Sequence, residues 1–325
     1  MSGKPSIAVT GGAGFIGGAV CRRLAAEGCN VVAIDLREEA GPELKAEGCR
    51  FVACDIRSTA ELADAFSGCS AVVNTAALVG DWGPMEQFVE ANVRGTLSVL
   101  DAAEAAGTPR VVHLASVAGW GYEFGEDIPE DAPLRACGGP YSDTKAASDH
   151  LARRRGAVVI RPGDVYGPGS VPWTIRPVEA LRAGVLFLPG KGDGVMTLVY
   201  IDDLVEAIVA ATSAPGVEGL GLAVWDGRPV SSREFFDRYA AMLGRPGVRT
   251  APLPLVEAAA AGAEAVARLT GRPPAISREA IRYITRRAAY PNDLARNLLG
   301  WEPQVGFDEG MDRSEAWLRG QGMLG

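Results

Sequence analysis

The chain has 325 residues, of which 47% are hydrophobic and 22% are charged, and its formal net charge at pH 7 is -8. This length is enough to bury a large core, in one big domain or in one domain with a smaller lobe. The acidic balance disfavours nucleic acid and anionic membrane as partners, and no uncharged apolar run reaches the roughly 20 residues of a transmembrane helix. We expect a cytoplasmic globular protein without a signal peptide.

Cysteine and histidine spacing predicts neither a disulfide framework nor a metal site. The six cysteines show no Cys-x-x-Cys spacing, and most of them stand at apolar positions in the first 70 residues. We expect buried, reduced thiols. The two histidines, His113 and His150, are far apart and lack a ligand pattern, so we predict no zinc site.

Predicted strands and helices alternate along the first half of the chain. Short apolar runs predict buried strands at residues 6–9, 31–34, 50–54, 71–75, 111–115 and 158–161. Helical spacing predicts helices at residues 15–27, 59–66, 85–106 and 146–155. Repeated strand–helix units imply an α/β fold, a Rossmann-type doubly wound parallel sheet that binds ligands at the carboxyl ends of its strands.

The pattern changes after residue 168, where proline, glycine and tryptophan become frequent. Residues 170–194 are expected to form a loop-and-helix insertion. Helices are predicted at residues 202–212, 231–243 and 253–269. The last is Ala-rich and amphipathic, which fits a packing helix or a membrane-surface helix, although its polar face is not basic. We predict a large domain at 1–169 and a smaller lobe at 170–325, with residues around 195–225 returning to the sheet.

A glycine-rich turn joins the first predicted strand to the first predicted helix. Gly11, Gly14 and Gly17 recur every three residues in the segment TGGAGFIG, which also contains Phe15 and Ile16. Glycine lets the backbone approach a pyrophosphate, and the helix N-terminus adds N–H groups and a partial positive charge. A glycine triplet alone can be a simple tight turn. The strand before it and the helix after it favour a dinucleotide phosphate site involving all five residues.

An acidic residue at the end of the second strand bears on the choice of cofactor. Asp35 lies 18 residues past Gly17. A carboxylate at this place can accept hydrogen bonds from both ribose hydroxyls and repels a 2′-phosphate. We therefore predict NAD rather than NADP, although Arg37 could tolerate a phosphate.

Two other strand ends supply further predicted cofactor contacts. Asp55 and Ile56 follow the third strand and fit contacts to the adenine edge, with a helix cap near Thr59 as the alternative for Asp55. Ala76 and Ala77 follow the fourth strand, and small side chains leave room for a cofactor above the sheet.

A hydroxyl, a phenol and an ammonium form the predicted catalytic centre. Tyr141 and Lys145 are four residues apart at a helix start, so they lie on one face, one turn apart. A free tyrosine has a pKa of about 10, and an adjacent ammonium together with oxidised nicotinamide can lower it toward about 7. Ser116, at the end of the fifth strand, can hydrogen-bond a substrate oxygen as charge develops on it. A surface Tyr and Lys on an amphipathic helix is the alternative, which the glycine turn and Ser116 disfavour.

These motifs resemble those of the extended short-chain dehydrogenases/reductases, in the NAD-dependent epimerase/dehydratase family. The resemblance covers nearly the whole chain and includes segments 89–96, 161–169 and 199–203. It implies a Rossmann fold, bound NAD, Tyr141 as acid/base, Lys145 as its partner and a cofactor contact, and Ser116 as oxyanion donor. Asn92 and Pro162, within two of these segments, are further expected cofactor contacts.

Departures from the sugar-nucleotide members of that family bear on the substrate. Those members usually carry an arginine for a diphosphate shortly before the segment that resembles 199–203, where this chain has Met196 and Thr197. The dehydratase branch carries an Asp-Glu pair after its hydroxyl residue, where this chain has Val117 and Ala118.

Bulky apolar residues are the predicted substrate contacts. They are Trp82, Val165, Trp173 and Met196. Both tryptophans could instead be packing anchors. The pattern resembles the 3β-hydroxysteroid dehydrogenase-like and dihydroflavonol reductase-like branches, which act on apolar substrates.

We therefore predict an NAD-dependent oxidoreductase that interconverts a secondary alcohol and a ketone on a largely apolar, ring-containing small molecule. The substrate would lie between the insertion at 170–194 and the loop at 79–84. The alternative is a sugar-nucleotide epimerase with tightly held NAD, since Arg176 or Arg287 could still reach a diphosphate. A non-catalytic NAD-sensing protein is disfavoured because such proteins typically lack the Tyr/Lys pair. We expect a homodimer, with no nucleic acid or membrane as partner.

Overall fold

The computed structural model describes residues 4–125, 128–129 and 132–324. Its centre is a sheet of seven strands: β1 (Ser6–Thr10), β2 (Asn30–Asp35), β3 (Arg50–Ala53), β4 (Ala71–Asn74), β5 (Val111–Leu114), β6 (Val158–Pro162) and β11 (Gly221–Val224). Their spatial order is β11-β6-β5-β4-β1-β2-β3, and all neighbours run parallel. This is a Rossmann-type sheet, and the fold predicted from the sequence is confirmed.

Outside the central sheet, short strands pair two by two. The pairs are β7 (Asp164–Tyr166) with β10 (Leu198–Tyr200), β8 (Phe187–Pro189) with β13 (Arg249–Ala251), and β9 (Val195–Met196) with β12 (Val230–Ser231). These pairs were not predicted from the sequence, because strands of two or three residues are too short to show a periodic pattern.

Helices cover the sheet and build the C-terminal part. They are α1 (Phe15–Ala26), α2 (Gly41–Ala46), α3 (Thr59–Phe66), α4 (Met85–Phe88), α5 (Gly95–Ala105), α6 (Pro140–Arg154), α7 (Arg176–Arg182), α8 (Ile201–Ala211), α9 (Ser232–Met242), α10 (Leu253–Thr270), α11 (Arg278–Thr285), α12 (Asp293–Leu299) and α13 (Phe307–Gly320). No helix in the described residues is both long and apolar enough to cross a membrane.

Both faces of the sheet are buried, as a parallel sheet requires. Ile7 and Val9 of β1 pack into a core that also contains Val20 of α1, while Ala8 between them packs into a second core with Phe66 of α3 and Val99 of α5. This alternation follows from the two-residue period of a strand. It explains why the strands read as continuous apolar runs in the sequence.

Two helices differ from the predicted bounds. The helix predicted at 146–155 begins earlier, at Pro140, because a proline fits the first turn, where its missing N–H is not needed. The helix predicted at 85–106 is interrupted by a π-helical turn, Val89–Arg94, between α4 and α5. Helices α11 to α13 were not predicted. The domain boundary at residue 169 stays a prediction, although β11, from beyond it, lies in the central sheet.

Candidate active site

The glycine turn after β1 is closed too tightly for side chains at two of its positions. Gly11 has a φ of 70°, and a Cβ on it would lie 2.8 Å from the backbone nitrogen of Ala76. A Cβ on Gly17 would collide with the carbonyl oxygen of Gly11 and the hydroxyl of Thr75. The turn therefore lies directly against the end of β4, with the N-terminus of α1 above it. This bare backbone cradle fits a pyrophosphate.

Asp35 is tied to this turn. Its Oδ2 accepts a hydrogen bond from the backbone N–H of Ala13 at 3.0 Å. Its Oδ1 accepts the backbone N–H of Arg37 at 3.0 Å and the Nε–H of the same residue at 3.2 Å. The carboxylate is thus held beside the glycine turn, where an adenosine ribose lies in a Rossmann site. The Arg37 guanidinium folds back on it and remains about half exposed.

The other predicted cofactor residues follow strand ends at the same edge of the sheet. Asp55 comes after β3 and accepts hydrogen bonds from Arg57, which lowers the pKa of its carboxyl. Ile56 packs so closely on α5 that a Cβ on Gly95 would collide with its side chain. Pro162 is the last residue of β6 and stands opposite Val224 of β11. Their contacts with a cofactor stay predictions.

Asn92 lies inside the π-helical turn, and its buried amide joins two other elements. Its Oδ1 accepts the backbone N–H of Leu78 at 2.7 Å. Its Nδ2 donates to the Leu78 carbonyl at 3.0 Å and to Oγ1 of Thr144 at 3.1 Å. Asn92 therefore fixes the loop after β4 against α6. Its predicted contact with the cofactor stays a prediction.

Ser116 and Tyr141 come together as predicted from the sequence. Ser116 follows β5, and its Oγ accepts the backbone N–H of Ala118 at 3.1 Å, which caps the short helical turn Val117–Trp120. The Ser116 hydroxyl is also hydrogen-bonded to that of Tyr141, on the first turn of α6. Burial raises the pKa of Tyr141 to about 12, Glu279 adds to the rise, and the Ser116 hydrogen bond opposes it.

Lys145 lies one turn further along α6 and is buried. Its Nζ donates a hydrogen bond to the carbonyl oxygen of Leu114, the last residue of β5, at 2.7 Å. Burial lowers the pKa of Lys145 to about 8, against the opposing charge of Asp149. The protein groups alone raise the pKa of Tyr141. The lowering that we expect from Lys145 and oxidised nicotinamide together stays a prediction.

A buried chain of hydrogen bonds backs this centre and was missed in the sequence. Thr10 donates to Asn74 Oδ1 at 2.6 Å, and Asn74 Nδ2 lies 3.0 Å from His113 Nδ1. His113 Nε2 lies 3.1 Å from Ser148 Oγ, which donates to the carbonyl of Lys145 at 3.2 Å. Burial and the Lys145 charge hold the pKa of His113 well below its usual value. The imidazole is thus neutral, accepting at Nδ1 and donating at Nε2.

A family of known NAD-dependent enzymes matches most of the chain, including the glycine turn, Ser116, Tyr141 and Lys145. Residues 7–219 match the model of the NAD dependent epimerase/dehydratase family. The chain belongs to this family. The family and its NAD cofactor, both expected from the sequence, are confirmed.

Named relatives in this family include reductases and sugar-nucleotide enzymes. A 2-alkyl-3-oxoalkanoate reductase of Stenotrophomonas maltophilia is 32% identical, with 95% of this chain and 98% of that protein covered. A UDP-glucose 4-epimerase of Mycolicibacterium smegmatis is 29% identical, with 96% and 97% covered. The solved structure of MoeE5 with UDP-glucose and NAD has a TM-score of 0.78 and 26% identity, covering 97% of this chain and 99% of that one.

Family membership gives Asp35 a testable role. We expect Asp35→Ala to weaken NAD binding by about tenfold or more, because hydrogen bonds to a charged acceptor are lost. NADP should lose less, since a repelling charge is removed while Arg37 remains. Isothermal titration with both cofactors measures the change, and Glu38→Ala, an exposed neighbour, is the control. An equal loss for both cofactors, or tighter binding of NADP by the unaltered protein, would contradict this role.

The four predicted substrate contacts have different surroundings in the structure, and their contact with a substrate stays a prediction. Trp173 stacks on Tyr283 with ring centroids 5.6 Å apart, whereas Trp82 lies under Arg268 of α10, whose guanidinium carbon is 5.6 Å from its ring. Val165 and Met196 pack in the main core, and the Met196 side chain is completely buried. Met196 also pairs with Val230 of β12.

A buried ion pair that was not predicted from the sequence, Asp164 with Arg286, lies next to Tyr283, on which Trp173 stacks. The guanidinium of Arg286 and the carboxylate of Asp164 are 2.5 Å apart, and neither side chain has exposed surface. Asp164 also accepts the Tyr283 hydroxyl at 2.6 Å and the Thr197 backbone N–H at 2.8 Å. Arg286 also contacts the Thr197 hydroxyl at 3.3 Å, so it lies where the sugar-nucleotide members carry their diphosphate-binding arginine. Its charge, however, is already paired with Asp164.

Proposed function

We propose that this family member interconverts a secondary alcohol and a ketone on a largely apolar small molecule, with NAD as redox partner. The observation that carries the proposal is the Ser116–Tyr141 hydroxyl pair, with Lys145 one helical turn away. Support for the substrate class comes from the relative named 2-alkyl-3-oxoalkanoate reductase and from a 28% identical ketoreductase of Stigmatella aurantiaca. The ring in the predicted substrate stays a prediction.

The residues divide the proton chemistry between them. When bound, the cofactor would accept the hydride as NAD or supply it as NADH. Ser116 donates a hydrogen bond to the substrate oxygen as negative charge grows on it. Tyr141 gives its hydroxyl proton to that oxygen in ketone reduction and takes it back in alcohol oxidation. Because burial raises the pKa of Tyr141 to about 12, its hydroxyl holds at neutral pH the proton that ketone reduction uses.

The pairing of the buried arginines supports an apolar substrate over a diphosphate. The two buried arginines in the described part of the chain, Arg161 and Arg286, are each paired with a buried aspartate, Asp149 and Asp164 respectively. A diphosphate normally needs a guanidinium to balance its charge. These two are already neutralised.

One observation favours the sugar-nucleotide alternative. A cavity of about 270 Å³ beside the Asp164–Arg286 pair is also lined by Arg282 and Arg287, which are exposed. Arg287 has only a surface partner, Asp193, at 3.3 Å. Both guanidinium groups could turn toward an anion.

Calorimetry and cofactor turnover separate the two functions. We expect no micromolar binding when UDP, dTDP or GDP is titrated into the NAD-loaded protein. We expect net oxidation of NADH with 2-alkyl-3-oxo acids or other apolar ketones, recorded by absorbance. Micromolar binding of a nucleoside diphosphate, with regeneration of NAD and no net turnover, would instead establish the epimerase.

The proposal includes the cytoplasm as location and a homodimer as assembly. All six cysteines are free thiols, which supports a reducing compartment. Sedimentation analysis tests the assembly.

A further inference from the structure

The first turn of α11 is joined to three other parts of the structure by three consecutive residues. Ser277, its N-cap, donates a hydrogen bond to Asp81 in the loop after β4. Arg278 binds the carboxylate of Glu264 in α10, with its Nε 3.0 Å from Oε2. The third residue, Glu279, binds the start of α6. Through Glu279, helix α11 in the C-terminal part of the chain is joined to the first turn of α6, which carries Tyr141.

Glu279 holds the first turn of α6 from outside that helix. Its Oε1 accepts the Ser142 hydroxyl at 2.9 Å and the Tyr122 hydroxyl at 3.1 Å. The first N–H groups of a helix have no partner within it. Gly139, the N-cap of α6, has no capping side chain, and a Cβ there would collide with the Glu279 carboxylate. Glu279 thus packs against the N-cap of α6 and is hydrogen-bonded to its first turn.

Ser142, the residue that Glu279 binds, is next to the proton-transfer residue Tyr141 in the sequence. Tyr141 lies directly before Ser142 in the first turn of α6, so the turn held by Glu279 is the turn that carries the phenol. We propose that Glu279 is a positioning residue for the alcohol–ketone reaction: it fixes the first turn of α6 and brings a carboxylate to the turn that carries the Tyr141 phenol.

Other charged and titratable groups also surround these two side chains. Ser116 faces Tyr141 from β5's end, and Lys145 lies on the same helix, with its ammonium bound to Leu114. Asp81 and Tyr122 face Glu279 from two loops, and Cys137 Sγ lies 3.0 Å from the Ser142 hydroxyl that the carboxylate binds. Burial raises the pKa of Glu279, and its Oε2 is buried without a hydrogen-bond partner among the described residues.

Removing this charge has a definite direction of effect. Because Glu279 raises the pKa of Tyr141, Glu279→Gln should lower that pKa while retaining a side chain able to accept the Ser142 hydrogen bond. The effect expected is on the order of half a pH unit or more for one nearby charge. Glu279→Ala also removes the contact with the first turn of α6 and should reduce kcat by about tenfold, with the KM for the ketone little changed.

The titration of Tyr141 can be followed without any substrate. The NAD-saturated protein is labelled with tyrosine carrying ¹³C at Cζ, and the Tyr141 signal is assigned by its absence in Tyr141→Phe. We expect the Tyr141 transition at lower pH in Glu279→Gln than in the unaltered protein. Glu257→Gln, an exposed glutamate on α10, should leave it in place. An unmoved transition in folded Glu279→Gln would overturn the inference.

Two further variants keep the test independent of folding and of the proposed reaction. If Glu279→Gln does not fold, Ser142→Ala and Tyr122→Phe each remove one partner of the carboxylate, and an unmoved Tyr141 transition in both would overturn the inference. The inference rests on the proposed function. A shifted Tyr141 transition in a protein that oxidises no NADH with any ketone would uphold the contact and refute the reaction.

Discussion

Replacement of Tyr141 by phenylalanine should reduce turnover by about a hundredfold or more while NAD still binds. The variant keeps the ring that packs at the start of α6 and removes only the hydroxyl that pairs with Ser116. The substrate oxygen then loses its proton donor, whereas the glycine turn and Asp35 are untouched. Steady-state oxidation of NADH with a reactive ketone measures the first effect, and calorimetric titration with NAD measures the second.

Two matched variants make this result specific. Tyr290→Phe removes a buried hydroxyl that has no hydrogen-bond partner among the described residues, so its turnover should stay close to that of the unaltered protein. Lys145→Met should impair both turnover and NAD binding, because Lys145 is predicted to contact the nicotinamide ribose as well. Near-normal turnover of Tyr141→Phe would show that another group transfers the proton.

Arg286→Met is expected to lower the free energy of unfolding by about 3 to 5 kcal/mol, because it leaves a buried carboxylate without its counter-charge. Asp164 would keep only the hydrogen bonds from Tyr283 and Thr197. Urea denaturation of both proteins at neutral pH measures the difference. The adjacent Arg287 forms an ion pair with exposed Asp193, so Arg287→Met should cost no more than about 1 kcal/mol. Equal losses in the two variants would contradict the importance of the buried pair.

The parts of the site that could be predicted are those encoded in neighbouring residues. The glycine turn, Asp35 and the Tyr141–Lys145 pair each depend on short spacing, and the parallel sheet brings strand ends to one edge by topology alone. Family, fold and cofactor followed from these motifs and are confirmed. Pro140 was a usable sign of the start of α6, since proline favours the first helical turn.

The parts that escaped prediction depend on contacts between distant segments. Asp164 and Arg286 are 122 positions apart, and Ser142 and Glu279 are 137 apart. No periodicity in the sequence relates either pair, because the second member of each belongs to the C-terminal segment from α11 onward, whose helices were not predicted. Arg286 is an example: the sequence pointed to Arg176 and Arg287 as possible diphosphate ligands, and the buried Arg286 paired with Asp164 was overlooked.

The order of strands in the central sheet has a consequence for synthesis on the ribosome. The first three strands to emerge, β1, β2 and β3, are already neighbours, and each later strand, β4, β5, β6 and finally β11, adds beside existing strands on the other side of β1. The nascent chain can thus extend the sheet at a single growing edge without displacing a strand. Until β11 emerges at residue 221, β6 lacks its outer strand partner and its backbone groups on that side are unpaired. We expect the incomplete sheet to be prone to aggregation during this interval.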